Sequence, residues 1–311
     1  MKGEPMTSLA KPSHIVSLAT NSILVAVDVR VWTATKQDKS SSQEFTDSKK
    51  ADPNAARVTQ HLFADNPKHK KILNYRQTIY NFMQHYTYPW TAGTQILAVE
   101  NLPLFMGKYQ EHEQEFNKLV DEFISDYDSA VSDIAFKSLN QTGGMGSLFK
   151  RENYPTKEQA RAKFGIDLYT SEVPEGDFRV QVANDLADDL HRNFEQQHQR
   201  LLNDIFFKQS EQLVSVMESI SHCCDVETVT EADGSQKIKR RKLYDSTIER
   251  ALELCTLFQS FNVTDNPDLE EARARLHAVL QNVSPDIIRQ SDALRVQVKS
   301  EVDDILAKFK I

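Results

Sequence analysis

Between residues 23 and 32 the chain alternates. Ile23, Val25, Val27, Val29 and Val31 occupy one parity, and Leu24, Ala26, Asp28, Arg30 and Trp32 the other. A period of two with β-branched enrichment predicts a strand with one clean apolar face. A lone strand cannot satisfy its own backbone, so it needs a partner. The best partners lie in 166–180, where Ile166, Leu168, Phe178 and Val180 flank the turn Pro174-Glu175-Gly176-Asp177. A small antiparallel sheet is expected there. Lys36 to Pro53 is polar, includes Ser40, Ser41 and Ser42, and reads as a mobile loop.

The pattern then changes to a helical period. Residues 54–64 and 68–87 read as helices separated by Asn66-Pro67, and Tyr88-Pro89-Trp90 ends the second, because proline disfavours helix at the residue before it. Phe105, Tyr109, His112, Phe116, Leu119, Phe123, Tyr127, Val131 and Ile134 recur at steps of three and four, which predicts one long helix from Leu104 to about Leu139. Gly143-Gly144 stops it. Thr156 with Gln159 forms a capping box for a short helix ending near Gly165. Leu186, Leu190, Phe194, Leu201, Ile205, Leu213, Val216 and Ile220 mark the stripe of a second long helix over 182–221. Asn266-Pro267 and Ser284-Pro285 each place a cap before a first-turn proline, so helices are expected over 243–261, 267–282 and 285–309. Thr228-Val229-Thr230, Asp233-Gly234 and Ile238 make 226–242 a hairpin candidate.

These elements predict a mainly α protein: an elongated antiparallel helical bundle or coiled coil with a small N-terminal antiparallel β element. Two regions are expected. Residues 14–181 form a mixed region with the N-terminal strand, basic-aromatic helices and first long helix. Residues 182–311 form a helical bundle with a basic hairpin insertion near 226–242. Long apolar stripes also make a homo-oligomer an expected partner state.

Composition narrows the function classes. The 311 residues carry 37 basic and 45 acidic side chains, a net charge of -8, which excludes a globally basic nucleic-acid binder but not a local patch. The longest apolar run, Ile23 to Val27, is far short of a membrane span. The N-terminus lacks an apolar signal core, and three cysteines make no even disulfide framework, so a cytoplasmic protein without a membrane partner is expected.

Catalytic and cofactor motifs find little support. Gly143-Gly144-Met145-Gly146-Ser147 follows a helix rather than a strand and reads as a helix stop, not a dinucleotide loop. His112-Glu113-Gln114-Glu115-Phe116 begins like a zinc-protease helix but has Phe116 where the second histidine belongs, so His112 reads as a histidine at the core edge. His222-Cys223-Cys224 with Cys255 has no workable ligand spacing, and the cysteines read as buried thiols. The carboxylates at Asp121-Glu122, Asp185 with Asp188-Asp189, and Asp303-Asp304 read as solvated helix faces. No enzyme, metal or cofactor is expected.

Charge distribution says more. Residues 1–100 carry 12 Lys+Arg against 8 Asp+Glu, while the remainder carries 25 against 37. In the basic third, Lys68, Lys70, Lys71 and Arg76 lie near Tyr75, Tyr80, Tyr86, Tyr88 and Trp90. Cations track phosphates and aromatic faces stack unpaired bases, which suits single-stranded nucleic acid. The alternative is that Tyr88 and Trp90 are core and the lysines solvated. A second basic run, Lys237, Lys239, Arg240, Arg241 and Lys242, lies on one arm of the expected hairpin and offers a further phosphate contact.

Several short motifs occur in a fixed order. They are Tyr75-Arg76-Gln77-Thr78, Tyr88-Pro89-Trp90, Gly93, Phe116, Val120, Phe123, Tyr127, Leu148-Phe149, Tyr154-Pro155, Phe164 and Pro174-x-Gly176-Asp177-Phe178-Arg179-Val180, preceded by Ile15-Val16-Ser17-Leu18 and the valine-rich strand. This series, over roughly 14–181, resembles an uncharacterised family of tailed-phage and integrative-conjugative-element proteins. Its members are often encoded beside a MoxR-type AAA ATPase and a von Willebrand factor A-domain protein. The resemblance implies a mobile-element context in a bacterial host, not an activity, and it carries over no catalytic residue. The expected function is therefore a non-enzymatic accessory protein of phage or mobile-element DNA metabolism that binds single-stranded nucleic acid. The rival expectation is a protein-interaction adaptor or client of the neighbouring AAA ATPase.

Overall fold

The structure is a computed structural model describing residues 19–91, 93–140, 144–174, 184–230, 236–261 and 266–309. In chain order its elements are β1 (Ser22–Arg30), β2 (Thr35–Asp38), α1 (Lys39–Lys49), β3 (Val58–His61), α2 (Pro67–Tyr86), β4 (Tyr88–Pro89), β5 (Gln95–Ala98), α3 (Leu102–Ser125), α4 (Tyr127–Leu139), α5 (Lys157–Arg161), β6 (Gly165–Glu172), α6 (Asn184–Cys224), β7 (Val226–Thr230), β8 (Gln236–Arg240), α7 (Asp245–Ser260), α8 (Pro267–Leu280), α9 (Pro285–Gln290) and α10 (Asp292–Lys308). The protein is mainly α with small antiparallel β elements. No helix among the described residues is long and apolar enough to cross a membrane.

The chain divides into two compact units. A mixed unit comprises 25–85 and 103–170, and a helical unit comprises 86–102, 171–311 and the N-terminal residues to Leu24. The break expected near 181 therefore falls at Thr170, and the segment 86–102 belongs with the C-terminal helices.

In the mixed unit β1 is hydrogen-bonded to β6, so the valine-rich strand finds the partner expected in 166–180. Phe178 and Val180 lie outside the described residues. Val25 and Val29 are buried, while Asp28 and Arg30 on the opposite parity are exposed. The expected loop at 36–53 is instead β2 followed by α1. Asp38 caps α1 by accepting from the Ser41 amide and from the Ser40 and Ser41 hydroxyls. These hydrogen bonds and that of Gln60 hold its carboxyl well below the usual carboxylate range. A serine run thus acts as cap chemistry, which polarity alone hides.

The helix expected over 54–64 is absent. Val58–His61 pairs antiparallel with β2 in the register Thr35↔His61 to Asp38↔Val58, and two β-branched residues there favour the strand. The long helix expected over 104–139 breaks at Asp126. The Glu122 carbonyl accepts from the Ser125 hydroxyl at 2.9 Å and the Lys68 ammonium at 3.3 Å, so side chains occupy the acceptor that a continuing helix would use. The Thr156–Gln159 capping box forms as the spacing predicts. Phe63 meets Phe123 and Tyr154 edge to face, Phe123 meets Tyr127 and Phe164 likewise, and Phe63 lies tilted at 45° on Tyr127, with centroid distances of 5.3–6.0 Å at the centre of this unit.

In the helical unit β4 and β5 form a short hairpin, Tyr88↔Ile96. α6 and α10 run antiparallel, since Arg295 Nη1 donates to Cys223 O at 3.0 Å while Asp303, further along α10, accepts from Ser221 at 2.5 Å. β7 and β8 pair antiparallel with Thr228↔Ile238, and the Asp233-Gly234 turn lies outside the described residues. The helix expected over 285–309 is interrupted by Ser291, whose extended backbone and hydroxyl cap α10.

Candidate nucleic-acid interface

The residues singled out by composition are distributed over both units. Tyr88 and Trp90 are 7% and 8% exposed and belong to the core of the helical unit. Tyr88 stacks on Phe261 with centroids 5.2 Å apart and planes 8° apart, and the Lys208 ammonium lies 5.3 Å from its ring centre. Trp90 meets His198 edge on at 5.1 Å. Neither ring offers a face to a base, so the stacking role expected of them is corrected: the Pro89 hairpin turns both rings inward.

Lys68, Lys70, Lys71 and Arg76 all lie on α2 in the mixed unit, but not on one face. At roughly 100° per residue, Arg76 projects about 120° from Lys70 and about 140° from Lys71. Lys68 is committed to an ion pair with Asp126. Lys70 and Lys71 are exposed and make no ion pair among the described residues.

The basic run on and after β8 is largely neutralised within the helical unit. Arg240 grips Asp292 with two bonds, Nε at 2.5 Å and Nη2 at 2.8 Å, and this holds the Asp292 carboxyl below its usual range. Arg241 reaches Glu227 at 3.5 Å and Asp225 at 3.7 Å. The Lys242 ammonium sits 4.6 Å from the Tyr244 ring centre, and Lys239 is opposite Glu227 in the ladder. Of the Lys237 side chain nothing is described. A run that reads as a protruding cation cluster is thus mostly interleaved with acids from neighbouring elements.

What the residues do bring together is a cleft of about 470 Å³ in the mixed unit. It is lined by Val29, Arg30, Val31, Trp32, Thr33, Arg76, Ala162 and Lys163. Three cations, from β1, α2 and the turn after α5, converge on it. Arg30 is held by Asp167 at 2.7 Å and lies 3.7 Å from Asp28. A Cβ at Gly165 would sit 2.5 Å from Arg30 Nη2, so the missing side chain there clears a place for the guanidinium. Arg76 Nη2 donates to the Tyr80 hydroxyl at 3.3 Å and has no carboxylate partner among the described residues. Lys163, also without one, places its ammonium 5.8 Å from the Trp32 ring centre.

The tryptophan is anchored from behind. His69 Nε2 lies 2.7 Å from the Trp32 carbonyl, and the ring contacts Phe63 at 5.7 Å, His69 at 6.4 Å and Tyr127 at 6.4 Å. Ala34, two residues on, has a φ of 50°, a left-handed conformation that costs a residue with a side chain on the order of 1 kcal/mol. Arg30, Trp32, Thr33 and Lys163 are not legible as a site, because Lys163 and Arg76 come from segments far from 30–33 in sequence and the alternation marks Trp32 only as a strand residue.

Burial pushes the His69 pKa below its ordinary value near 6.5, and burial does the same for His112, whose Nδ1 shares a 2.8 Å hydrogen bond with the Tyr75 hydroxyl. The folded protein therefore holds both rings neutral, and His69 donates from Nε2 to Trp32. Because the folded pKa values are depressed, stability is full above about 6.5 and falls as pH drops through and below that value, where the unfolded chain takes up more protons. Denaturant midpoints followed by tryptophan fluorescence from pH 8 to pH 5 should decline with acid, and less so in His69→Gln. A flat profile would show that these rings do not resist protonation.

Burial pushes the Cys224 and Cys255 thiols up to about 11, which leaves them protonated. His112 packs against Phe82 at 4.8 Å, and Asp121 meets Arg161 at 3.2 Å. No group of three or more potential metal ligands occurs among the described residues. No family model, curated protein or solved structure matches this chain.

Proposed function

We propose that this chain is a non-enzymatic accessory protein that binds single-stranded nucleic acid, in the phage or mobile-element DNA metabolism that its sequence resemblance implies, in the cytoplasm of a bacterial host. The observation that carries the reading is the convergence of Arg30, Arg76 and Lys163 beside Trp32 in one open cleft. Cations hold phosphates and an indole face takes an unpaired base, so the two parts of single-strand recognition stand together there. Lys70 and Lys71, exposed on the same unit, add long-range attraction.

The test is the salt dependence of binding to single-stranded oligonucleotides. Arg30 is already paired, so two cations are free to meet phosphate. The log–log slope expected for two contacts is about -1.4, at roughly 0.7 per phosphate on a single strand. Absence of single-strand binding at low salt would refute the reading. We also read the antiparallel pair α6 and α10 as a coiled-coil seam of the bundle. Arg295, Val298, Val302 and Ile305 are buried at steps of three and four, against Leu213, Met217, Ile220 and Cys224.

A second reading, adaptor or client of a MoxR-type AAA ATPase, is favoured by one specific observation. Phe136 and Leu139 at the end of α4 are 67% and 82% exposed, apolar surface that suits a protein partner better than a phosphate backbone. Co-purification with the ATPase that is lost in Phe136→Ser, with oligonucleotide binding unchanged, would favour it.

A further inference from the structure

We propose that the cleft of the mixed unit seats one unpaired nucleotide, with Trp32 as the platform for its base and Lys163 as a cover that the phosphate draws off the ring. The inference rests on the nucleic-acid reading above and specifies its ligand and contacts.

The three cations are not equivalent. Arg30 is fixed between Asp167 and Asp28 and forms a wall of the cleft. Arg76 is oriented by Tyr80, with its guanidinium 5.3 Å from that ring centre, and retains donors for a phosphate. Lys163 is exposed, and in the free protein its contact in the cleft is the Trp32 face. An ammonium over an indole at an exposed position is weakly held. A phosphate offers the same ammonium a charge-assisted hydrogen bond, which is stronger. Ligand entry therefore exchanges one partner of Lys163 for a better one and frees the indole face in the same step.

The indole itself cannot follow the lysine. Its carbonyl is bonded to His69 and its ring is packed on Phe63 and Tyr127, so the platform is ordered before binding and little is lost in arranging it. The cleft, about 470 Å³, falls in the range of small-ligand sites, roughly 300–1,000 Å³, and suits one nucleotide rather than a stacked run. In the interior of a duplex both faces of each base are covered by neighbours, so apart from its ends duplex DNA presents nothing for Trp32 to stack on.

The chain's own fluorescence reads occupancy. It has two tryptophans, and Trp90 is buried in the helical unit, so Trp32 is the reporter for the cleft. Full-length protein at low salt is titrated with an eight-residue oligothymidylate, with thymidine monophosphate and with a long G·C-rich duplex that stays paired at low salt. The expected result is a change in tryptophan emission with the single strand and not with the duplex, abolished in Trp32→Phe. Arg76→Glu and Lys163→Glu, both exposed, should each weaken binding and lower the magnitude of the salt slope by about 0.7, with unchanged melts. Trp32→Leu should weaken the oligonucleotide by roughly 5- to 150-fold; the two charge variants keep the test decisive if that variant fails to fold.

Emission changes with the monophosphate alone would support the nucleotide seat and refute the single-strand role. Oligonucleotide binding with unchanged emission, retained by both charge variants, would overturn the cleft while leaving the nucleic-acid reading standing. Equal responses to duplex and single strand would overturn Trp32 as a base platform. No binding of any ligand would overturn both.

Discussion

Tyr88→Ala is expected to destabilise the helical unit by about 3–5 kcal/mol, the usual cost of truncating a buried aromatic ring. The ring is 7% exposed and lies flat on Phe261, so its removal opens a cavity bordered by Phe261 and Lys208. Lys208 loses more than packing. Burial already lowers its pKa, and its ammonium has the Tyr88 ring at 5.3 Å and the Thr87 carbonyl at 3.5 Å. Without the ring, the cation–π contact goes and a half-buried charge is left less compensated. Tyr88→Phe keeps the stack and should retain most of the stability. Thermal or urea melts of the three proteins decide the matter, with oligonucleotide binding measured beside them. An unchanged melt for Tyr88→Ala, with binding lost, would restore the surface role and refute the packing assigned to this ring.

The fate of Tyr88 shows what the sequence pattern could and could not reveal. Helix starts were legible wherever a cap carries them: Asn266 accepts from the Asp268 and Leu269 amides, Ser284 from the Ile287 amide, and Thr156 closes its box with Gln159. A cap is a local event, fixed by residues two to three apart, and local spacing finds it. Interruptions were missed for the complementary reason. Asp126 breaks the α3–α4 stretch with the help of Lys68, 58 residues away in sequence, and the apolar stripe runs on across the gap. Polarity alone makes the serine-rich segment a loop, because it says nothing about whether hydroxyls cap.

The site was less legible than the fold. Charge density found Arg76, but it weighted lysines by their neighbours in sequence, and neighbours on a helix point in different directions. The same density marked Arg240 and Arg241, whose charges are answered by Asp292, Asp225 and Glu227 from other elements. A cleft assembled from residues 30, 76 and 163 is a property of the tertiary fold, and no window along the chain contains it.

The largest effect expected in the mixed unit comes from the strand whose alternation opens the chain's pattern. Val25→Asp should cost about 2.5–6 kcal/mol. Val25 is 1% exposed, so the lost burial is worth roughly 1.5–3 kcal/mol, and an unpartnered polar group in its place adds at least about 1–3 kcal/mol. That is a large share of the ~5–15 kcal/mol by which a domain is usually stable. The neighbouring parity supplies the control. Asp28 is a natural carboxylate three residues on, exposed and within reach of Arg30, so the strand itself tolerates the chemistry and only the face matters. Val27, half-buried, should give an intermediate loss when replaced by Asp. The sign of the pH response identifies the cause. A carboxyl forced into the core has a raised pKa, so the folded state takes up its proton more readily than the unfolded chain, and the penalty should shrink as pH falls toward 4. Denaturant melts of Val25→Asp, Val27→Asp and the parent at pH 7 and pH 5 provide the test. Equal midpoints for all three at pH 7 would mean that this strand contributes nothing to the core that supports Trp32 and the cleft.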